Sequence, residues 1–591
     1  MRKVLLTVLG LMYVLGLSAQ WDPNSQENLR VTVDGILSFE AQMNKDGVAF
    51  VAFWDLLAED PEKQGDRYSD NVDVAYFMQI LDKEGRKVIA DEETLISHEP
   101  SRSFTMGYDR AVFTDSDGNA LYIVKDERNW NDRSYPNQSY FVYKVSPAGE
   151  FLWEEPLDLD KGYAYYTVAN IKVIELIDGS YIFAHDIYLN KNRSYIAVER
   201  VSKEGKFLWN EPLLLTDNAI SYSYPYVADA GYGNFIVAYA KGESMYAQKF
   251  AFDKEKLWAG EVPIYRGGFT LQVWLAFDII PDQNGGIFAS WYDDRYNDKY
   301  EEAYVSHILS DGTQGFVTSG NEEGLRLTWS EYMRGFRPSL CYDPDEEILY
   351  AAWEEDNSNQ SYRSIVLQKI SKDGQLCWAN QEGEEGNTNG LVLDNGNVGY
   401  YSIQLAGDGK IAVFHQHAYD TNSSVENIVT LFDVSGEQPQ SLNRIVFSER
   451  GTLKSGLVSM PLFDNEYFLT FWSDYRTSSL SDGGAVFAHK IPLADLDVTA
   501  IRFPETGTNS RFEIISGGAN GKVNFVLDNS TTGNATLDIY SVSGQKVTRI
   551  QSKLHAGENS IPWNVQHLSA GVYIVQLTTQ NSVQTKRFII K

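Results

Sequence analysis

Cysteine is nearly absent: Cys341 and Cys377 are the only two in 591 residues. One disulfide at most could form, and the repeat described below puts the two on the first and last strands of one unit, so two buried free thiols are expected. No G-x-S-x-G, H-E-x-x-H, P-loop or C-x-x-C occurs, and no nucleophile, zinc or phosphate motif anchors a mechanism. Positive charge is scarce as well. Lys and Arg number 50 against 81 Asp and Glu, giving −31, a balance that repels nucleic acid and anionic membrane and suits cations or neutral ligands such as glycans. After the first residues no apolar run is long enough to span a bilayer.

What is present is apolar and aromatic. Hydrophobic residues make up 43% and aromatics 13%, with 36 Tyr and 13 Trp, the composition of a chain built of strands. Met1-Arg2-Lys3 followed by the short apolar run Val4 to Leu17 and by Ser18-Ala19 reads as a secretory signal cleaved between Ala19 and Gln20. The mature chain, without a transmembrane segment, is expected outside the cytoplasm.

One phrase recurs. Ser371-Lys372-Asp373-Gly374-Gln375-Leu376-Cys377-Trp378 follows a strand-like run, as do the related phrases ending in Trp209 and Trp153. Aligned on the turn glycine the copies fall at Gly85, Gly149, Gly205, Gly312, Gly374 and Gly436, and Phe250 to Trp258 is a further copy without the glycine. Steps of roughly 50–65 residues match one propeller blade with generous loops. Eight strands such as FVAFWD (50–55), IFASWYDD (287–294) and FLTFWSD (468–474) precede these turns, so each unit supplies an inner, a central, a third and an outer strand. The last unit lacks its outer strand, and Glu27 to Gly35 supplies one from the other end of the chain, which would leave no open edge. The fold class expected is all-β: an eight-bladed, alternatively seven-bladed, β-propeller over 20–495, a linker over 496–509, and a small Ig-like β-sandwich over 510–591.

The phrase differs from the Asp-box of sialidases, S-x-D-x-G-x-x-W, because its glycine falls one place early. It resembles instead the QKI-x-x-DG-x-x-LW repeat of exported bacterial propellers, which implies the fold and little about ligand. At the other end LDIYSVSGQKV (537–547), AGENSI (556–561), LSAGVYIVQL (568–577) and KRFIIK (586–591) resemble the type IX secretion C-terminal sorting domain of Bacteroidota, carried here by Leu537, Ile539, Tyr540, Gly544, Gly571, Tyr573 and Lys586. The Asn-Pro usual near the start of that domain is missing. The resemblance implies handling by the type IX machinery, export through the periplasm to the cell surface, and attachment of the cargo to surface lipopolysaccharide after removal of the domain.

Loops from second to third strand share one face of a propeller with the loops between blades, and here they are crowded with carboxylates, amides and Tyr. Asp293, Asp294 and Arg295, with Asp474, Tyr475 and Arg476, are the candidate ligand-binding residues. The Asp-Arg pairing in Asp294-Arg295 and in Asp474 with Arg476 invites a catalytic reading, but a residue type recurring from blade to blade more often braces the scaffold. His415-Gln416-His417 puts two imidazoles on one strand face at metal-ligand spacing, without a third ligand in sequence reach, and packing or hydrogen bonding is the stronger reading. No cofactor is called for, although the carboxylates at 292–302 are a candidate calcium site. The reading favoured is a surface-destined binding or scaffold module for a glycan or protein ligand. Its rivals are a glycoside hydrolase or lyase using carboxylates of the loop-rich face, and an accessory component of the secretion pathway.

Overall fold

The computed structural model describes residues 21, 28–36, 38–56, 74–89, 94–97, 111–126, 128, 138–161, 167–190, 193–217, 219–267, 278–295, 300–316, 323–328, 333–357, 363–378, 381–383, 386–419, 424–478, 483–497, 512–517, 522–529, 532–541, 546–565, 568, 571–579 and 583–590. The segment expected to be a signal, with Ala19 and Gln20, and Gly544 lie outside them. The chain divides into two compact units, Met1–Leu493 and Ala494–Lys591.

The larger unit is all-β among its described residues, and the one short helix described, Leu493–Leu496, begins at its last residue. It is a succession of antiparallel meanders, each hydrogen-bonded in the order inner, central, third, outer. The central strands are Ala49–Leu56, Ala120–Asp126, Tyr181–Asn190, Phe235–Lys241, Ile287–Asp293, Ile348–Asn357, Lys410–Ala418 and Tyr467–Asp474, and the meanders are numbered first to eighth in that order. Leu391–Gly407 is the outer strand of the sixth meander and then the inner strand of the seventh, joining both into one seven-stranded sheet. In the eighth, the strand beyond Ala485–Pro492 comes from the N-terminal end: Leu29 pairs with Ala488 and Arg30 with Phe487.

Both faces of each meander are apolar, so each needs a neighbour on either side. Phe50 and Trp54 of the first pack with Tyr122 and Val124 of the second. Like clusters follow from meander to meander, and Phe414 meets Phe468 at 5.3 Å between the seventh and eighth. The succession returns to its start, where Leu469 and Phe471 of the eighth pack with Val51 and Phe53 of the first.

The repeated phrase works between meanders. Its first residue starts the turn with a side-chain acceptor: Glu84 N and Arg86 N donate to Asp82 Oδ1 at 3.0 and 2.8 Å, and Gln375 N donates to Ser371 Oγ at 3.0 Å, as Asx and Ser turns do. The glycine takes a left-handed φ, 77° at Gly205, and also makes room. A Cβ on Gly205 would lie 2.9 Å from the ring of Trp153, which belongs to the preceding meander. The indole N–H then donates to the turn's second carbonyl: Trp153 to Lys203 O at 3.2 Å, Trp209 to Phe252 O at 2.9 Å and Trp258 to Ser310 O at 3.0 Å. The copy without a glycine has Lys254 at φ 77°, with its ammonium over the ring of Trp209. The eighth meander has no such Trp of its own. Trp21 fills the equivalent seat on the first meander, its Nε1 donating to Lys83 O at 2.9 Å against Gly85.

Cys341 and Cys377 are free. Two strands separate them, because Cys341 pairs with Tyr350, Tyr350 with Lys369, and Cys377 N reaches Lys369 O. The expected burial of both is corrected: Cys377 is exposed and Cys341 partly buried, because Cys377 sits in the outer turn where side chains leave the seam.

The smaller unit packs a three-stranded sheet, with Lys522–Asn529 at its centre, on a four-stranded one that contains Gly533–Ser541 and Gly571–Thr578. Val523, Phe525, Leu537, Ile539 and Val575 form their shared core.

Replacing Trp21 with Ala should destabilise the larger unit by about 2–4 kcal/mol, the range for losing a packed aromatic and its hydrogen bond. Denaturant unfolding of the purified protein measures this, and an unchanged midpoint would show that the seat is not part of the closure.

Candidate functional site at the loop end of the meanders

Each meander has a turn end and an end that carries the loop from central to third strand. At the loop end five inner strands bulge at one register. Asn170, Tyr224, Arg337, Tyr400 and Gly456 have φ of 58°, 53°, 48°, 41° and 67°, and the extra residues lie opposite His185, Tyr239, Trp353, His415 and Trp472. The large ring on the central strand is thus matched by an additional residue on the inner one. Positive φ is strained for Arg and Tyr. Both Arg337 and Tyr400 are exposed, Tyr400 by 56%.

Three of the central strands end in charged braces among the described residues. Arg295 pairs with Asp293, not with its sequence neighbour Asp294: Nη2 is 2.7 Å from Oδ2, Nε is 2.9 Å from Oδ1, and the guanidinium lies 3.6 Å from the centre of the Tyr304 ring. Trp291 Nε1 donates to the same carboxylate at 2.8 Å. Asp474 and Arg476 repeat the arrangement, with Trp472 Nε1 at 3.2 Å and Phe487 as the platform. A third copy pairs Asp126 with Arg128, whose guanidinium lies over Phe141. Asp293 and Asp474 are fully buried. Tyr475 stands apart from the pair, its hydroxyl 3.5 Å from Ser455 Oγ.

Among the described residues a different cluster occurs once, across the fifth to seventh meanders. Arg334 holds Asp356 through Nη2 at 2.9 Å and lies 3.8 Å from Glu301, while Arg363 lies 3.5 Å from Glu354. Tyr401 reaches across from the seventh meander and donates to Arg337 O at 2.7 Å. Burial pushes the Glu301 carboxyl up, Asp294 and Asp356 add to the shift, and Arg334 opposes it. Burial raises Glu354 too, with Asp356 adding and Arg363 and Arg337 opposing. Burial likewise raises Asp356 against the pull of Arg334. Of the predicted candidates, Asp294 alone belongs to this group.

His415 and His417 converge on one carboxylate, Asp394 Oδ2, at 2.7 and 3.2 Å, and Arg444 adds a guanidinium at 2.7 Å. Burial opposes ionisation of Asp394, but these partners hold it well below the usual carboxylate range. Among the described residues no group of three or more His, Cys, Asp and Glu side chains is placed to hold a metal. The described carboxylates of 292–302 have partners of their own, Glu302 meeting Arg326 at 2.7 Å.

In the smaller unit the sequence motif has a structural account. Leu537 and Ile539 point into the core and Tyr573 is buried, Gly571 opens its strand, and Lys586 is exposed on the last strand. Asp538, between the two core residues, is clasped by Arg549 at 2.6 Å and Lys546 at 2.7 Å, and Tyr540 continues the same strand. Residues 519–591 match the secretion system C-terminal sorting domain. This sorting domain marks the chain for export to the cell surface or secretion, and no helix among the described residues is long and apolar enough to cross a membrane.

The sorting domain accounts for the end of the chain only. No curated protein matches the sequence. Solved structures similar to it include a fungal alcohol oxidase of the AA5 family in complex with copper (11% identity, TM-score 0.33, covering 81% of this chain and 96% of that one). An ulvan lyase of polysaccharide lyase family PL25, bound to -[GlcA(1-4)Rha3S]-, is 12% identical at TM-score 0.38 over 70% of this chain and 98% of that one. The GH93 α-L-arabinofuranosidase of Fusarium graminearum, in complex with arabinobiose, is 14% identical at TM-score 0.27 over 56% and 94%. Likeness at this level does not fix a shared activity.

Arg295→Ala should cost about 3–5 kcal/mol, because it strands a buried carboxylate, and Arg295→Lys should recover only part, since a lysine cannot reproduce the fork and the stacking. Thermal unfolding of both variants decides between a brace and a ligand contact; loss of stability below about 1 kcal/mol in both would rule out the brace.

Proposed function

We propose that residues 20–495 are an eight-bladed β-propeller with the N-terminal strand in its last blade, exported by the type IX pathway and acting as a glycan-binding module. The returning succession of seams and the seat of Trp21 support the ring. The single observation that carries the binding reading is the cluster of Glu301, Glu354 and Asp356 with Arg334 and Arg363, found once among the described residues, alongside Arg337 and Tyr400 exposed on their strained bulges. A planar guanidinium, an aromatic face and carboxyls together suit sugar hydroxyls and ring faces. A protein ligand would use the same rim and is the other arm of the test. A glycoside hydrolase or lyase is the second reading, favoured by the burial that raises the Glu301, Glu354 and Asp356 carboxyls, the kind of environment in which a carboxyl acts as general acid.

Array screening of the purified propeller, with hydrolysis followed in the same wells, should show retention of one glycan class without turnover. Arg337→Ala and Tyr400→Ala should each weaken that retention about tenfold, the scale of one lost stacked or charged contact. Turnover abolished by Glu354→Gln would establish the enzyme instead, and no retention of any glycan would leave a protein ligand to be sought.

We propose further that residues 510–591 serve as an address, joined through a linker at 496–509. A chain ending at about residue 505 should melt like the propeller of the intact protein and remain in the periplasm of a host with this export pathway. Truncated protein at the cell surface would overturn the assignment.

A further inference from the structure

The braces at the loop end set a standard against which one position fails. Asp126, Asp293 and Asp474 are fully buried and each meets the guanidinium of the residue two places on, at 2.6, 2.7 and 2.6 Å. Glu355 holds the same place in the sixth meander. It too is fully buried, two places after a buried tryptophan whose Nε1 donates to it, here Trp353 to Oε1 at 3.0 Å. Two places on, however, the strand ends with Asn357. The ring on which the arginines lie is missing as well, because Trp353 pairs with Val366 where Trp291 pairs with Tyr304 and Trp472 with Phe487. Glu355 Oε2 has no hydrogen-bond partner.

The charged groups on the facing elements are engaged elsewhere. Across the seam Glu302 is held by Arg326 and Glu301 lies by Arg334. On the inner strand Arg334 is bound to Asp356, and on the third strand Arg363 faces Glu354 and Lys369 Nζ donates to Val434 O. Glu354 and Asp356 lie on the face of the central strand opposite to Glu355, since side chains alternate. The segments adjoining the sixth meander's own strands, 329–332 and 358–362, read WSEY and SNQSY and contain no Lys or Arg, while 296–299 on the fifth meander reads YNDK, with Lys299 outside the described residues.

We propose that Glu355 is a proton-operated joint in the seam between the fifth and sixth meanders, seated when protonated and loosened when ionised. A buried carboxylate without a cation is unstable in a way a neutral carboxyl is not, and the sequence has left out the arginine that answers this cost in three other seams. The consequence reaches the rim, because Glu354 and Asp356 flank the joint on the same strand and Gly335, its register partner, is hydrogen-bonded to Glu301 O at 2.7 Å. Burial, opposed by the Trp353 hydrogen bond, pushes the carboxyl up to about 7 from its ordinary 4.5. The native state therefore keeps a proton that the unfolded chain has already lost between these values. Stability falls as pH rises through that window and levels off above it.

Glu355→Gln keeps the shape and removes the titration. Thermal unfolding of the full-length protein should give coincident midpoints for variant and parent near about pH 5, and a higher midpoint for the variant by a few degrees at about pH 8. Asn357→Arg should raise the midpoint of the parent at about pH 8, with no such gain in the Glu355→Gln background. A difference between Glu355→Gln and parent that is the same at both pH values would mean a packing effect and would overturn the joint. Should Glu355→Gln fail to fold, Asn357→Arg alone decides: no gain at about pH 8, or an equal gain at about pH 5, would also overturn it.

Discussion

Everything in the larger unit depends on a four-stranded sheet having two apolar faces and no means of burying either alone. A packed aromatic removes about 150–250 Å² from water, at about 25 cal/mol per Å², several kcal/mol for each ring. The indole N–H bonds to the next turn contribute about 1 kcal/mol apiece. The ring faces therefore supply the attraction between meanders, and the hydrogen bond to one particular carbonyl decides how far along the seam they meet. The turn glycine answers to both demands at once, by its φ and by its missing side chain.

The two ends of the meanders are then free to differ. At the turn end a short acceptor, a glycine and a tryptophan repeat because the geometry they satisfy repeats. At the loop end each seam closes over a polar group, and the solutions diverge: an arginine stacked on a ring, a lysine meeting Glu261 at 2.8 Å from Lys241, two histidines on Asp394. Among the described residues one cluster of acids, arginines and tyrosines occurs only once and so does not serve the repeat, and that is why the rim of the fifth to seventh meanders is the place where a ligand is sought.

Legibility followed the same division. Period-two apolar runs and the recurrent turn showed the all-β character and the four-strand plan, because a repeated contact writes a repeated residue. The gap left by the last outer strand pointed to the N-terminal residues that pair there. The braces were half visible: the Asp-Arg pattern could be read, but Arg295 was assigned to Asp294, since only the alternation of a strand places positions 293 and 295 on one side. The bulges could not be read at all. Asn, Tyr, Arg, Tyr and Gly share no chemistry, and what unites them is the ring on the neighbouring strand. Nor could the exposure of Cys377 be read, because it depends on where the outer turn leaves the seam. The Glu301, Arg334 and Asp356 cluster joins positions far apart in sequence whose proximity only the seams create.

The pairing of Leu29 with Ala488 has a consequence in time as well as in space. A contact between residues so distant along the chain cannot exist until the later one has been made and has arrived on the same side of any membrane being crossed. Seams between successive meanders are local by comparison and can form as the chain appears, each closing a shorter loop at a smaller entropic cost. The first of the described strands is thus the last to find its partner, and until it does the eighth meander keeps an unpaired edge.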